Sequence, residues 1–222
     1  MPELRTLAAT TPSARLAAAM AAGARPHPDL IEPLVQRCSV EPDAYVRDML
    51  SWALIRQDRS TVVDRLLREV GSPVAQARSQ ALHTLSKLAD VRAWPVVTRR
   101  ILTDRDDDVA RAAWRAAITL VPEGDEDDLA AVLASQLGRG DRDVRLSLSR
   151  ALVALGASAT EVVRRASRSG DDRVRAHALA TQRLAEDPSA DSEVAVAQAR
   201  RVVALHGAPV PPRPDGDTLH LC

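Results

Sequence analysis

The chain has 222 residues and no formal net charge; 45% of its residues are hydrophobic, but only 2% are aromatic and none is Phe. A core built from Ala, Val and Leu suits closely packed short helices better than a β-sheet. Balanced charges exclude a global field that would draw the protein toward nucleic acid or a membrane. The sequence has no apolar run long enough to span a bilayer and begins with no export signal, so we expect a cytoplasmic protein.

The apolar spacing predicts a series of short helices separated by Pro and Gly. After a lead-in over residues 1–11, an Ala-rich helix at 12–23 is followed by the pairs 29–38 and 43–55, 60–70 and 73–88, 91–102 and 106–120, 125–137 and 141–155, and 158–167 and 171–184. Pro95 falls early in its helix, where its missing N–H is tolerated, so we expect no kink there. A last helix at 191–205 completes a domain over residues 12–206, and residues 207–222 form a Pro-rich flexible tail.

The second helix of each pair repeats one pattern. An Arg recurs at intervals of 30 to 34 residues, with a small or apolar residue three positions later in all six copies and an acid four positions earlier in four of them. In the clearest copy, Asp141 is placed as an N-cap, Leu148 and Leu152 share a face with each other, and Gly156 ends the helix. A period of this length with two helices per unit predicts a helical solenoid.

These residues resemble the HEAT-repeat family, including its bacterial branch that is similar to phycobilisome-lyase repeats. Val46-Arg47, Val144-Arg145 and Val174-Arg175 match the Val-Arg pair of the family, and residues 107–111 match it with one extra residue. The resemblance implies an all-α, right-handed α-α superhelix of about six helical pairs. It also implies a structural ladder of acids and arginines between neighbouring repeats, here Asp43, Arg47, Arg78, Asp107, Arg111, Asp141, Arg145, Asp171 and Arg175, although Arg78, like Arg15, lacks the preceding acid.

In a solenoid of this type, the second helices line the concave side. Relative to the repeated Arg, the core stripe lies at offsets −1, +3, +6 and +7, and the opposite face lies at +1, +5 and +8. Trp52 and His83 share the +5 position in adjacent repeats, and a large aromatic there suits a binding groove. The alternative is that the first helix covers Trp52 and makes it part of the core. The predicted partner-binding residues are Asp48, Trp52, Ser79, His83, Arg115, Thr119, Arg150 and Arg183.

The sequence carries no catalytic signature. Its five His show no metal-ligand spacing, and no P-loop, dinucleotide fingerprint or nucleophile elbow is present, so we expect no metal and no cofactor. We expect a non-catalytic adaptor or scaffold that binds a protein or peptide partner on its concave face and makes no membrane contact.

An enzymatic alternative stays open through two HEAT-like relatives, the DNA glycosylases that act on alkylated bases and the bilin lyases. Residues 139–183 contain ten Arg and five acids, a local excess of positive charge that could follow the phosphates of a nucleic acid. The motif residues of the glycosylases cannot be mapped onto this chain, and nothing in the sequence identifies a bilin pocket.

Overall fold

The computed structural model describes residues 6–187, and every regular element in that range is a helix. The α-helices are α1 (Pro12–Ala24), α2 (Ile31–Cys38), α3 (Ala44–Ile55), α4 (Arg59–Glu69), α5 (Ala75–Leu88), α6 (Arg99–Leu102), α7 (Asp107–Leu120), α8 (Glu126–Ala134), α9 (Arg142–Ala154), α10 (Ala157–Ala166) and α11 (Asp172–Glu186). Two 3₁₀ helices, Pro28–Leu30 and Val91–Val96, precede α2 and α6.

The chain divides into two compact units, Met1–Gln182 and Arg183–Cys222. The predicted helix at 191–205 and the predicted tail at 207–222 lie outside the described residues, as do the first five residues of the lead-in. Within the described part of the lead-in, Leu7 is buried in the hydrophobic core. The packing described below concerns the first unit.

The helices of the first unit pack in two rows. In one row α1 contacts α3, α3 contacts α5, α5 contacts α7, and α7 contacts α9. In the other row α2 contacts α4, α6 contacts α8, and α8 contacts α10, while α2, α4, α6 and α8 each pack on the second helix of their own pair. This arrangement of neighbouring pairs confirms the predicted all-α, HEAT-like solenoid.

The core includes the stripe that the sequence pattern predicts on the second helices α3, α5, α7 and α9. On α3, Val46, Leu50 and Leu54 are at most 1% exposed, and the same positions on α5, α7 and α9 are buried or packed against the core. Trp114 of α7 is fully buried, and its indole Nε1 donates a hydrogen bond to the carbonyl oxygen of Leu102 at 2.9 Å. Because a buried indole N–H needs an acceptor, this bond fixes α6 against α7.

Four of the second helices, α3, α7, α9 and α11, begin with the same cap. The side chains of Asp43, Asp106, Asp141 and Asp171 each accept a hydrogen bond from the backbone N–H of the Val three residues later, at 2.9 to 3.2 Å. A cap of this kind is worth about 1 kcal/mol because it satisfies a donor that the helix leaves unpaired. At the other end of α9, Gly156 adopts a φ of 56°, as its place after the helix predicts.

The predicted helix at 91–102 is broken, and our prediction of no kink at Pro95 is wrong. Residues Val91–Val96 form a 3₁₀ helix with Pro95 inside it, and α6 starts only at Arg99. Pro95 lacks an N–H, and in an α-helix its ring would clash with the carbonyl of Val91, four residues earlier. Val97, with φ −81° and ψ 60°, separates the two short pieces.

Candidate interaction face

The repeated arginines hold the turn that precedes their own helix. The Nη1 of Arg47 donates to the carbonyl oxygens of Glu41 and Pro42, at 2.9 and 2.8 Å. These carbonyls lie six and five residues before the Arg. Arg15 and Arg78 donate to both of the equivalent carbonyls in their own repeats, and Arg145 and Arg175 donate to one each. In five of the six copies, the recurring Arg therefore fixes the turn through which the chain enters its second helix, whereas Arg111 forms no such bond within residues 6–187.

Two acids outside the predicted ladder bridge neighbouring repeats. Arg15 pairs with Glu41 at 2.7 Å, and Arg78 pairs with Asp104 at 3.1 Å. These are the two arginines whose own repeats lack the preceding acid. Both bridging acids stand two residues before the Asp that caps the next second helix, and this spacing in the sequence distinguishes them from the capping acids.

Three of the predicted ladder acids cap their own helices, and one bridges to the next repeat. Asp43, Asp141 and Asp171 cap helices, Asp107 pairs with Arg139 of the next repeat at 2.7 Å, and Arg111 lies 3.6 Å from Asp108 of its own helix. The physical reason is the cap: a carboxylate that accepts the N–H groups of the first turn faces the helix end and not the next repeat.

Glu41 is the most enclosed acid of the first repeat junction. Its side chain is 0% exposed and accepts bonds from Arg15 and Arg37, each at 2.7 Å, and from the backbone N–H of Asp43 at 3.0 Å. Burial alone raises the pKa of this carboxyl group, but the hydrogen bonds from Arg15, Asp43 and Arg37 outweigh it and lower the pKa to about 2. Glu41 is thus ionised and fully partnered at neutral pH.

Trp52 is partly packed against α1 and partly exposed, so it combines features of the two interpretations, a groove residue and a core residue. One edge of its ring lies on the backbone of α1: a Cβ added at Gly23 would be 2.1 Å from the ring atom Cζ3. The residue is nevertheless 40% exposed. Gly23 therefore lets one edge of the indole approach the backbone of α1, and the residue stays partly exposed to solvent.

His83 faces Asp48 across the junction of α3 and α5. Its Nε2 is 3.8 Å from an Asp48 carboxylate oxygen, too far for a hydrogen bond, and this nitrogen is buried without a partner. Burial, together with the charges of Lys87 and Arg115, lowers the pKa of His83 to about 4, although the Asp48 carboxylate acts in the opposite direction. His83 is therefore neutral at physiological pH, and its contact with Asp48 is not an ion pair.

A cavity of about 540 Å³ continues this face between α7 and α9, with Ser86 of α5 at its edge. Three guanidinium groups line it, from Arg111, Arg115 and Arg150, and Asp143 is the acid among them. The Nε of Arg111 is buried and has no hydrogen-bond partner. Burial and the neighbouring charge of Arg111 lower the pKa of Arg115. The cavity thus concentrates positive charge that its own walls leave uncompensated.

The remaining predicted site residues differ in how far they are exposed. Thr119 is exposed and lines the cavity, whereas Ser79 is only 8% exposed and offers no contact surface. On α7 the predicted +1 and +5 positions, Ala112 and Ala116, are also buried, because the pairing of α5 with α7 is the most extensive helix contact in the first unit. Arg183 is exposed near the end of α11 and belongs to the second unit.

A buried Ser–His contact between α9 and α11 has the appearance of a catalytic pair but the wrong protonation. The Nδ1 of His177 accepts the backbone N–H of Gly138 at 3.0 Å, so Nε2 carries the proton and donates to the carbonyl oxygen of Arg145 at 2.9 Å. Ser149 lies 3.1 Å from Nε2 and 2.8 Å from the hydroxyl of Thr181. His177 therefore has no free nitrogen to take the Ser149 proton, and the group joins two helices.

Among residues 6–187, no group of His, Cys, Asp and Glu side chains is arranged to hold a metal ion. None of the helices described for this chain combines the length and the apolar character needed to cross a membrane.

The chain was compared with known families and with curated proteins. Residues 31–119 match the family model of HEAT repeats, a range that runs from the start of α2 to the end of α7. The match assigns no bacterial or lyase-type branch, and no curated protein matches the chain. The rows of paired helices and the matching residues agree: residues 31–119 of this chain are HEAT repeats.

Proposed function

We propose that the chain is a non-catalytic scaffold that binds a protein partner through its second-helix face, the surface formed by Asp48, Trp52, His83, Arg115, Thr119 and Arg150. HEAT repeats are commonly protein-interaction scaffolds. The observation that carries the proposal is the cavity between α7 and α9, which presents arginine, hydroxyl and aliphatic side chains on rigid helices. A surface ordered before binding loses little conformational entropy when a partner docks.

Trp52 supports the same face at its other end. An indole that is held by α1 along one edge and exposed by 40% offers a large contact area at small entropic cost. Aromatic side chains of this kind are enriched among residues that dominate binding energy. We therefore expect Trp52 and the cavity to contact the same partner.

Site-directed photo-crosslinking in the source cells tests the proposal. A photoreactive amino acid placed at Asp48 or Thr119 should give the same discrete protein adduct, because both positions are exposed on the proposed face. The matched control position is Thr160 on α10, which is exposed in the other row of helices and should give no such adduct. Adducts from Thr160 alone, or none from either face position, would reject the proposal.

A duplex DNA titration separates the scaffold from a nucleic-acid-binding enzyme. The scaffold predicts no micromolar binding at moderate salt. Micromolar binding with a steep dependence on salt concentration would instead favour the nucleic-acid class.

A further inference from the structure

The cavity brings three arginines together, and none of them has a carboxylate within hydrogen-bond distance in the described part of the chain. Arg115 and Arg150 form no ion pair and no side-chain hydrogen bond within residues 6–187, whereas arginines outside the cavity such as Arg15, Arg65 and Arg92 are bound by one or two carboxylates. Arg111 has an acid only at 3.6 Å, and its Nε is unpartnered. The buried Nε of Arg111 is a desolvated donor without an acceptor, which is costly, and the exposed guanidinium groups of Arg115 and Arg150 line the same cavity, so the cluster favours an anionic occupant.

The walls of the cavity narrow the class of anion. Ile118, Leu146 and Ala151 form an apolar part of the lining beside the arginines. Asp143 also lines the cavity, and its negative charge would oppose a densely charged phosphate chain running through the site. A carboxylate that carries an aliphatic neighbour satisfies both parts of the lining, since the guanidinium fork fits a carboxylate with two parallel hydrogen bonds.

The charges around the cavity also favour a bound carboxylate. The Nη atoms of Arg111 reach Asp108 only at long range, and Arg111 and Arg115 lie close enough for one charge to lower the pKa of the other. A bound carboxylate would relieve this repulsion between like charges. The chain as a whole has no net charge, so the attraction is local to this cavity and does not extend to polyanions in general.

We infer that the cavity between α7 and α9 binds an acidic peptide segment of the partner, with an Asp or Glu side chain held by Arg115 and Arg150 and an adjacent aliphatic side chain against Ile118 and Leu146. This inference rests on the proposed function and specifies what the partner presents to the second-helix face. It assigns recognition to the α7–α9 end of that face.

The test is peptide display against the full chain, followed by affinity measurement. Panning a random peptide library should enrich peptides in which an acid stands next to an aliphatic residue. For a fluorescein-labelled enriched peptide, the double variant Arg115→Gln/Arg150→Gln should weaken binding by about 10- to 100-fold, since a hydrogen bond to a charged group contributes about 1.5 to 3 kcal/mol. Replacing the acid of the peptide by its amide should have a similar effect.

The matched control is Arg164→Gln/Arg165→Gln, which removes the same charge from α10, where both arginines lie close to Glu161 and away from the cavity. This control should bind the peptide like the native chain. The inference is overturned if the enriched peptides are not acidic, or if both double variants weaken binding equally. It is also overturned if the cavity variant abolishes tight, salt-sensitive binding of duplex DNA, because the site would then serve nucleic acid.

The two proposals can fail separately. If the face positions crosslink to a partner but Arg115→Gln/Arg150→Gln leaves that adduct and the peptide selection unchanged, the acidic-peptide inference fails and the scaffold remains. If neither Asp48 nor Thr119 crosslinks to a partner, the scaffold itself fails.

Discussion

At the scale of single residues, the buried charges at the first repeat junction form one closed group. Glu41 is 0% exposed, yet two guanidinium groups and one backbone N–H satisfy its carboxylate. Removing one member of such a group leaves the others desolvated and unpaired, which costs more than the group contributes when it is intact. Glu41 is therefore important for stability mainly because its loss would leave two guanidinium groups without a charge partner.

We expect Glu41→Gln to lower the free energy of unfolding by about 3 kcal/mol at neutral pH, because Arg15 and Arg37 lose the charge they face. The folded pKa of about 2 lies below the ordinary value of 4.5, so the unfolded chain binds a proton first as the pH falls. The stability that Glu41 contributes is thus complete above pH 4.5 and is lost as the pH falls toward 2. Urea unfolding followed by circular dichroism at several pH values measures both effects.

Glu161→Gln is the control for this prediction, since Glu161 pairs with Arg164 on the exposed surface of α10. It should change stability little. A Glu41→Gln variant that keeps the native stability, or whose deficit is the same at pH 2 as at neutral pH, would contradict the assigned role.

At the scale of elements, α1 and α3 approach closely at a single glycine. The ring of Trp52 occupies the space that a Cβ at Gly23 would need, with 2.1 Å between the added atom and Cζ3. Gly within a helix ordinarily costs about 1 kcal/mol relative to Ala. Here that cost is offset by the contact that the missing side chain permits.

We expect Gly23→Ala to destabilise the native chain by about 1 to 3 kcal/mol, because the methyl group must displace the indole. In a Trp52→Ala background, the same substitution should stabilise the chain by up to about 1 kcal/mol through helix propensity. A double-mutant cycle of unfolding free energies measures the reversal. Equal effects of Gly23→Ala in both backgrounds would show that the two residues do not interact.

The elements also show how far sequence reasoning reaches. The Asp caps, the Val-Arg pairs and the 3.6-residue apolar period predicted most helices to within a few residues, because each is a local signal. The broken segment at Pro95 was missed because we treated the fifth position of a helix as though it belonged to its first turn. The direction of the acid side chains was missed for a different reason, since the choice between capping and bridging depends on contacts between repeats.

The candidate site was predictable only in part, because the exposure of a residue also depends on contacts between repeats. The offset pattern placed Trp52, His83 and Arg150 on one face of the second helices, and all three are at least partly accessible in the structure. It also placed Ser79 there, but the tight pairing of α5 with α7 buries that position. Helix periodicity predicts the side of a helix on which a residue lies. Whether that residue is accessible depends on how closely the next helix approaches.

At the scale of the whole first unit, stability comes from repeats and from the contacts between neighbours. The contact between α5 and α7 is the most extensive of these, and two alanines of α7, Ala112 and Ala116, are buried on the side away from the core stripe. Their small side chains allow the helices to pack closely. Disturbing this junction should therefore affect the adjacent repeats before it affects distant ones.

We expect Ala116→Leu to lower the free energy of unfolding by about 1 to 3 kcal/mol, because the larger side chain overpacks the junction of α5 and α7. Native-state hydrogen exchange should show the largest loss of protection in those two helices and a smaller loss in α1. Ala180→Leu, at the same register position on α11 but exposed, is the matched control and should leave exchange unchanged. Equal loss of protection in every helix would contradict nearest-neighbour coupling.

Five of the six recurring arginines bond to the turn before their own helix, and this has a consequence for how such a chain can grow or shrink. A unit that is duplicated or deleted with such an arginine takes these carbonyl acceptors along, so about thirty residues can be gained or lost without breaking those bonds. The junctions at Glu41 and Asp104 are different, because a unit excised there would separate Arg15 or Arg78 from the acid supplied by its neighbour. Gain and loss of units should therefore be tolerated best where the neighbour supplies no carboxylate.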